Sequence, residues 1–241
     1  MLPLQDLNPR RRMPVFTYTL IIINVIVFIW ELSLAPGQLD RMFMDLAAVP
    51  ASISHAPFSL AAFIAIIRSM FFHGGFDHII GNMLYLWLFG DNVEDRLGGV
   101  CYLILYFVSG FAAAFAQVLI SPESTVPMIG ASGAIAGVLG SYFILFPGVR
   151  VRGIIPLGRV SQWVEWPAWL VLGFWFALQV VDGFASLGAD TSYGGGVAFA
   201  AHVGGFVAGI VLTWLLTALV PQPGPEVHRA SLYQRAARQQ R

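Results

Sequence analysis

Residues 130–140 read GASGAIAGVLG, a run of small and apolar residues that contains a single hydroxyl, Ser132. Glycine in a helix interior costs about 1 kcal/mol relative to alanine, so a run this rich in glycine requires a reason. Gly133, Gly137 and Gly140 are spaced four and three residues apart, which places them on one face of a helix. Such a small face lets a second membrane helix approach closely. The stretch therefore predicts a tightly packed membrane helix with a hydroxyl in its first turn.

The composition of the whole chain excludes an ordinary soluble protein. Hydrophobic residues make up 57% of the 241 residues and charged residues 11%, which is typical of a polytopic membrane protein. The 13 basic and 13 acidic residues balance, and no basic patch carries interleaved aromatics, so we expect no nucleic-acid partner. Cys101 is the single cysteine, which excludes a disulfide framework and a thiolate metal cluster.

Six apolar segments are candidates for membrane-spanning helices, which need about 20 residues each. One of them carries His78 and Asn82 and is the weakest by hydropathy. We predict an all-α polytopic membrane protein, a bundle of six transmembrane helices. The predicted spans are 16–34, 74–90, 98–120, 129–147, 166–187 and 197–220.

The arginines set the direction of the chain, which contains no lysine. With the N-terminus inside, eleven of the 13 arginines are cytoplasmic and only Arg41 and Arg68 lie outside, as the positive-inside rule requires. We therefore expect a multi-pass protein of the plasma (inner) membrane, in contact with its lipids and with both termini cytoplasmic. Residues 1–13 form a cytoplasmic N-terminal segment, 14–220 the six-span domain, and 221–241 a basic cytoplasmic tail.

In this topology, three helices bring polar side chains to one depth near the outer surface. Ser132 begins the fourth span, His202 lies early in the sixth, and His78 and Asn82 lie in the outer half of the second. A serine among glycines is more often a packing residue, whereas an ionisable group inside the bilayer is functional by default. For His202 alone, a hydrogen-bonded structural role stays open.

The sequence around His202 brings this histidine towards the serine. Gly205 and Gly209 follow it by three and seven residues and lie on the same helical face. If this face packs against the small face of the fourth span, Ser132 and His202 meet at the outer end of the contact. A hydroxyl beside a general base is the arrangement of an activated serine nucleophile.

The second span and the turn before the fourth supply candidate donors for an oxyanion. His78 and Asn82 are four residues apart and share a helical face. Gly130 permits a tight turn that leaves backbone N–H groups near Ser132 free at a helix N-terminus. Nucleophile, base and oxyanion donors together point to acyl transfer.

These same residues carry a resemblance to the rhomboid family of intramembrane serine proteases. The resemblance extends over the six-span core, and the three motifs together are highly specific. The segments that resemble the family signatures are HGGFDHIIGNMLYLWLFGDNVEDRLG (73–98), GASGAIAG (130–137) and AHVGGFVAG (201–209).

The resemblance implies a Ser–His dyad that needs no metal or cofactor. Ser132 is then the nucleophile and His202 the base, while His78 and Asn82 form the oxyanion hole with the Ser132 N–H. Gly130, Gly133, Gly205 and Gly209 support the site. The implied substrates are single-span membrane proteins whose helices unwind easily near the outer end.

One position departs from the family pattern. Several members carry an aromatic residue one turn after the serine, stacked on the catalytic histidine, but here that position is Ala136. We expect the His202 ring to be oriented from elsewhere, with Tyr85 and Phe199 as open alternatives.

Two charged residues outside the motifs have open roles. Arg68 resembles the arginine of the family's outer loop. Asp182 in the fifth span is interpreted as an interfacial or hydrogen-bonding acid and not as the acid of a triad. The sequence carries no signal for the oligomeric state.

Two non-enzymatic classes compete with the protease. A catalytically silent relative that binds or chaperones membrane proteins predicts loss of Ser132 or His202, and both are present. A transporter predicts polar groups that continue to the cytoplasmic side, whereas we expect the inner halves of the spans to be almost wholly apolar.

Overall fold

The computed structural model describes residues 1–157, 160–186 and 199–219, with nine helices and three strands in this part of the chain. The predicted tail 221–241 lies outside it. The strands are β1 Leu2–Asp6, β2 Arg150–Leu157 and β3 Val160–Pro167. The helices are α1 Val15–Leu32, α2 Pro36–Leu46, α3 Pro50–His55, α4 Leu60–Ser69, α5 Phe76–Leu97, α6 Gly99–Ile120, α7 Ser132–Leu145, α8 Ala168–Ser186 and α9 Phe199–Leu219.

The chain is an integral membrane protein whose described part is mostly helical. Each of the six predicted segments contains one helix: α1, α5, α6, α7, α8 or α9. By length and composition, α1, α6 and α9 can cross a membrane, while α4, α7 and Ala168–Val181 of α8 are shorter apolar helices. The helix in the weakest segment, α5, continues to Leu97, seven residues beyond the predicted boundary.

Helix α7 lies in the centre of the bundle and packs against α6 and α9. All its residues from Ala134 to Tyr142 are buried. Its contact with α9 is made by backbone: a Cβ at Gly205 would overlap the carbonyl oxygen of Gly133, and one at Gly209 would overlap that of Gly137. Glycine is required on α9 because no side chain fits between these backbones.

The all-α prediction omitted a three-stranded antiparallel sheet with the order β1-β2-β3. In β1, Leu2 pairs with Ile154 and Asp6 with Val151, so the predicted N-terminal segment is a strand of this sheet. The omission has a physical reason: β1 makes its ladder with a segment far along the chain, which no local pattern reveals. The sheet follows the end of α7 and therefore lies at the opposite end of the bundle from Ser132.

Arginines and carboxylates pair at the sheet end of the bundle. Arg10 lies 3.4 Å from Asp91, and Arg11 lies 3.2 Å from Asp95, both in the last part of α5. These exposed arginines hold the chain before α1 against α5. Exposed ion pairs contribute at most about 1 kcal/mol each, so they orient the segment more than they stabilise it.

Polar side chains are also buried toward the sheet end of the bundle. Thr17, Asn24 and Glu94 are buried between α1, α5 and α6. The Glu94 carboxylate accepts hydrogen bonds from the N–H groups of Phe16 and Thr17 and from the Thr17 hydroxyl, all within 3.0 Å. It therefore supplies acceptors for the N–H groups in the first turn of α1, which lack partners within the helix. The polarity at this end of the bundle therefore has a structural role, the capping of α1.

Candidate active site

Ser132 and His202 form a direct hydrogen bond across the α7–α9 contact. Ser132 is the first residue of α7, and His202 lies in the first turn of α9. The Ser132 Oγ is 2.7 Å from His202 Nε2, a short distance for a hydroxyl and an imidazole nitrogen. His202 is only 9% exposed, so bulk water does not compete for this bond.

The glycine contact explains why the two side chains meet. Gly205 of α9 lies against Gly133 of α7, one residue beyond Ser132. On its other side, Gly133 faces Ala113 of α6, where an added Cβ would lie 2.6 Å from that side chain. The two predicted small faces are therefore in contact, and Ser132 and His202 lie at one end of that contact.

A glycine turn places Ser132 at the start of α7. Gly130 has a φ of 114°, a conformation that only glycine adopts without strain. Its N–H donates to the Ser69 carbonyl at 2.8 Å. The Ser69 hydroxyl accepts the Ala48 N–H at 2.7 Å, and the Met128 N–H donates to the Ala48 carbonyl at 2.7 Å. These hydrogen bonds thus tie the segment before Ser132 to the region between α1 and α5, which contains the short helices α2 to α4.

His78 and Asn82 lie one turn apart on α5 and face this glycine turn. A Cβ built on Gly130 would lie 2.5 Å from His78 Nε2 and 3.6 Å from Asn82 Nδ2. Both nitrogens are therefore beside the backbone two residues before Ser132. The Ser132 N–H, in the first turn of α7, has no helical partner. Three potential donors therefore lie at or beside the turn that leads into Ser132.

His73, to which the sequence analysis gave no role, bonds to Asn82. Its Nδ1 is 3.2 Å from the Phe71 carbonyl, an acceptor, so Nδ1 carries the proton. Its Nε2 then accepts from Asn82 Nδ2 at 3.0 Å. Burial, with a smaller contribution from the neighbouring His78, lowers the pKa of His73 to about 4, so the ring is neutral at neutral pH. It holds one Asn82 hydrogen and leaves the other free.

Glu31, at the end of α1, holds His73 in turn. Its two carboxylate oxygens accept the His73 backbone N–H at 3.1 and 3.2 Å, and Glu31 is 2% exposed. An acid near the end of an apolar span is a signal in the sequence, since ionisable groups in the bilayer are costly. The signal does not reveal the role, because nothing local to Glu31 identifies its partner 42 residues away.

The recorded contacts of the His202 ring come from α8, and Tyr85 does not take part in them. The ring of Tyr85 pairs with Phe89. The Trp175 ring lies 6.0 Å from that of His202 at an interplanar angle of 40°, and Gln179 Oε1 lies 2.5 Å from His202 Nδ1. Trp175 and Gln179 are four residues apart on an apolar helix and so share a face. This spacing of an aromatic and an amide is the feature of the sequence that could have predicted their contact with His202.

The remaining candidates lie away from this centre. Ala136 is fully buried in α7 and supplies no ring. Arg68 is an exposed residue in the last turn of α4. Asp182 belongs to α8, but its side chain is outside the described part of the structure. Cys101 is a half-buried free thiol on α6.

The arrangement has the parts of a nucleophilic acyl-transfer site. A hydroxyl bonds to a buried imidazole, and donor groups lie beside the glycine turn that precedes it. Such a set can activate the hydroxyl and stabilise a tetrahedral oxyanion. Among the residues described, no group of three His, Cys, Asp or Glu side chains is placed to hold a metal ion.

The chain belongs to the rhomboid family, which includes serine intramembrane proteases. The Rhomboid domain matches residues 61–219, a range that contains Ser132, His202, His78 and Asn82.

Similar proteins come from organelles and from bacteria. The chain is 30% identical to "Rhomboid protein 1, mitochondrial" of Saccharomyces cerevisiae over 209 residues, 84% of this chain and 54% of that protein. It is 28% identical to the rhomboid protease GluP of Bacillus subtilis over 73% of this chain and 32% of GluP. It is 27% identical to the rhomboid protease GlpG of Yersinia pestis over 66% of this chain and 51% of GlpG. The chain thus spans about half the length, or less, of these relatives.

Proposed function

We propose that this protein is an intramembrane serine endopeptidase that cleaves single-span membrane proteins through a Ser132–His202 dyad. The observation that carries the proposal is the 2.7 Å hydrogen bond between Ser132 Oγ and His202 Nε2 inside an apolar bundle. Membership of a family that includes serine intramembrane proteases supports it.

The reaction begins when Ser132 Oγ attacks the carbonyl carbon of the scissile peptide bond. The hydroxyl proton passes to His202 Nε2, and a tetrahedral intermediate forms with its negative charge on the former carbonyl oxygen. The Ser132 N–H, Asn82 Nδ2 and His78 Nε2 are the donors for this oxyanion. Removal of one such donor typically costs about 10²–10³ in rate.

Collapse of the intermediate breaks the peptide C–N bond and leaves an acyl ester on Ser132. His202 Nε2 donates its proton to the departing amine nitrogen. The neutral imidazole then takes a proton from water, and the resulting hydroxide equivalent attacks the ester carbon. This step releases the carboxyl product and returns the proton to Ser132 Oγ. The protein contributes only side chains and backbone groups to these steps, and water is the other reactant.

A small cavity beside Ser132 supports a restriction on substrate shape. The cavity has a volume of about 50 Å³, and its lining is apolar or small, including Ile66, Met70, Gly110, Ala113 and Met128. A space this small favours a small side chain at the scissile bond. A substrate helix with a small residue at the bond also unwinds more readily, which it must do because helical carbonyls are already hydrogen-bonded.

The topology that goes with this function is six spans over residues 14–220, with both termini cytoplasmic in the plasma membrane. Arg10, Arg11 and Arg152 all lie at the sheet end of the bundle, which supports a cytoplasmic location for that end. Ser132 lies at the opposite end and is then close to the outer surface. Residues 1–13 and 221–241 are then cytoplasmic. The outer surface of the bundle is in contact with the membrane lipids.

The test is cleavage of a model single-span substrate by the purified full chain in detergent. Ser132→Ala and His202→Ala should each lower the cleavage rate by at least about 10³-fold, because both belong to one catalytic unit. A fluorophosphonate should label Ser132 in the wild type and fail to label His202→Ala. Equal cleavage by wild type and Ser132→Ala would refute the assignment of the nucleophile.

Ser141→Ala is the matched control. Ser141 lies on the same helix, is fully buried, and its hydroxyl has no hydrogen-bond partner. The variant makes the same chemical change in α7 and should cleave like the wild type. A loss equal to that of Ser132→Ala would indicate that α7 does not tolerate the substitution, in which case the labelling experiment identifies the nucleophile.

A further inference from the structure

Gln179 of α8 occupies the side of His202 that faces away from Ser132. Its Oε1 lies 2.5 Å from His202 Nδ1, while Nε2 of the same ring lies 2.7 Å from Ser132 Oγ. The imidazole is therefore bonded at both nitrogens, by a hydroxyl on one side and an amide oxygen on the other.

The chemistry of the amide oxygen decides which nitrogen carries the proton. A carbonyl oxygen accepts hydrogen bonds and cannot donate them, so His202 Nδ1 must be the N–H. In a neutral imidazole the other nitrogen, Nε2, then has a free lone pair. That lone pair faces the Ser132 hydroxyl, so the ring is in the tautomer that can accept the serine proton.

The opposite tautomer would be inactive as a base. With the proton on Nε2, His202 would donate to Ser132 Oγ, and the bare Nδ1 would lie against the lone pairs of Gln179 Oε1. Two acceptors at this distance repel each other. In a buried site, such an unpaired contact is unfavourable.

Trp175 holds the same ring from the same helix. It lies one turn before Gln179, so both side chains are on one face of α8, and its ring is 6.0 Å from the His202 ring. Trp175 also lies 6.1 Å from the Phe206 ring, and Phe176 stacks on Phe206 at 4.6 Å. Together these contacts fix the face of α8 that meets α9.

We propose that Gln179 is a positioning residue for the reaction, which fixes the tautomer and the orientation of His202 by accepting a hydrogen bond from Nδ1. It takes the structural place that a carboxylate has in a Ser–His–Asp triad, with a neutral amide in its stead. The proposal rests on the proposed function, in which His202 is the base.

The same bond persists when His202 takes the proton. Both nitrogens of the imidazolium are donors, and Nδ1–H continues to point at Gln179 Oε1. The amide dipole stabilises the cation without adding a charge to the bundle, which a carboxylate would do at a high cost inside a membrane. No proton moves to Gln179 at any step.

The first experiment compares substitutions of Gln179 in the full chain with the single-span substrate. Gln179→Met keeps the length of the side chain and removes the acceptor, so kcat should fall about tenfold or more with little change in KM. Gln179→Glu restores an acceptor and adds charge, so it should recover most of the kcat. It should also move the acidic limb of the kcat/KM profile to higher pH, because a carboxylate stabilises the imidazolium.

Leu178→Met is the matched control, since Leu178 is the preceding residue of α8 and is 43% exposed. It should leave kcat and the pH profile unchanged. Wild-type kcat in Gln179→Met would overturn the proposal. Equal losses in Gln179→Met and Gln179→Glu, with unfolding midpoints like that of the wild type, would also overturn it.

The second experiment requires no variant of Gln179 and does not depend on cleavage. In the protein with 15N-labelled histidine, the resonance that disappears in His202→Asn should show a protonated Nδ1 and a bare Nε2 at neutral pH. A protonated Nε2 would refute the inference even if the enzyme is active. Conversely, a wild type that does not cleave while His202 shows the expected tautomer would refute the proposed function and leave the hydrogen bond to Gln179 intact.

Discussion

The contact between α7 and α9 differs in kind from the contact between α8 and α9. In the first, glycine backbones touch: Gly205 lies on the Gly133 carbonyl, and Gly209 on that of Gly137. In the second, side chains reach across, with two aromatic rings and the Gln179 amide against His202 and Phe206. One contact sets the distance between Ser132 and His202, and the other sets the direction of the His202 ring.

The difference determines how each contact responds to a change. Backbone atoms in contact have no rotamers to adjust, so an added methyl group must move a whole helix. Side chains on α8 can adjust by rotation, at the cost of a lost or weakened hydrogen bond. Perturbations of the first contact should therefore separate Ser132 from His202, while perturbations of the second should leave them close but poorly oriented.

The largest effect should follow from Gly209→Ala. The new Cβ would overlap the carbonyl oxygen, the carbonyl carbon and the Cα of Gly137, so α9 must move away from α7. A shift of about 1 Å at the dyad costs on the order of 10²-fold in rate. We expect kcat/KM to fall by at least that factor, together with a lower unfolding midpoint.

Gly173→Ala provides the control on α8. A Cβ there meets only Phe143 Cε2 at 3.9 Å, an ordinary van der Waals distance. The variant should keep wild-type activity and gain a little stability, since alanine is favoured over glycine in a helix by about 1 kcal/mol. If Gly209→Ala were as active as Gly173→Ala, the idea that glycine contacts fix the distance in the dyad would be wrong.

An intermediate effect should follow from Glu31→Leu. This variant tests whether the hydrogen bonds from Glu31 through His73 orient Asn82. The substitution leaves the buried His73 N–H without an acceptor, a cost of about 1–3 kcal/mol. His73 then no longer holds Asn82, and we expect kcat to fall about tenfold with KM little changed. The measurement is steady-state cleavage of the single-span substrate.

Glu31→Gln is the informative companion. Its amide oxygen can still accept the His73 N–H, so most of the activity should be retained. A Glu31→Gln variant as slow as Glu31→Leu would show that the charge of Glu31 matters and that the acceptor alone does not explain its role.

The smallest effect should appear at the sheet end, far from the dyad. Burial raises the pKa of Asp6 from 3.8 to about 7, opposed by hydrogen bonds from the Asn8 N–H and the Tyr142 hydroxyl. An acid whose pKa is higher in the folded state stabilises that state most when it is protonated. The docking of β1 is therefore most stable below about pH 4 and weakens as the pH rises to about 7.

Hydrogen exchange of the β1 amides measures this dependence. After correction for intrinsic rates, protection of the amides of residue 2 and residues 4–6 should decrease between pH 4 and about pH 7 in the wild type. Asp6→Asn should give flat protection over that interval. A wild-type profile as flat as that of the variant would mean that Asp6 is ionised throughout, and cleavage activity should be the same in both proteins.

The helices of the bundle and the meeting of Ser132 with His202 could be predicted from sequence because their signals are local. An apolar run predicts a helix by itself, and glycines three and four residues apart predict a close contact. Ser132 and His202 each lie beside such a glycine face, so the pattern that predicts the contact also predicts their meeting.

Gln179, Glu31 and the sheet could not be predicted in this way. Each depends on a partner far along the chain: Gln179 bonds to a residue 23 positions away, Glu31 to one 42 positions away, and Asp6 pairs with Val151. A lone amide or acid in an apolar segment signals that a partner exists, but the partner's identity depends on how the helices pack. For His202, the departure at Ala136 predicted that another element orients the ring, and the residues that contact the ring from α8, Trp175 and Gln179, were not among the expected ones.

The pairing of β1 with β2 has a consequence for the order of events during synthesis. Because Asp6 pairs with Val151, β1 leaves the ribosome on the order of ten seconds before its partner strand exists, at typical elongation rates of about 5–20 residues per second. Through that interval α1, α5, α6 and α7 are made while β1 has no ladder. The sheet therefore forms late in biogenesis. Its three strands can pair only after the chain has been made as far as the start of α8.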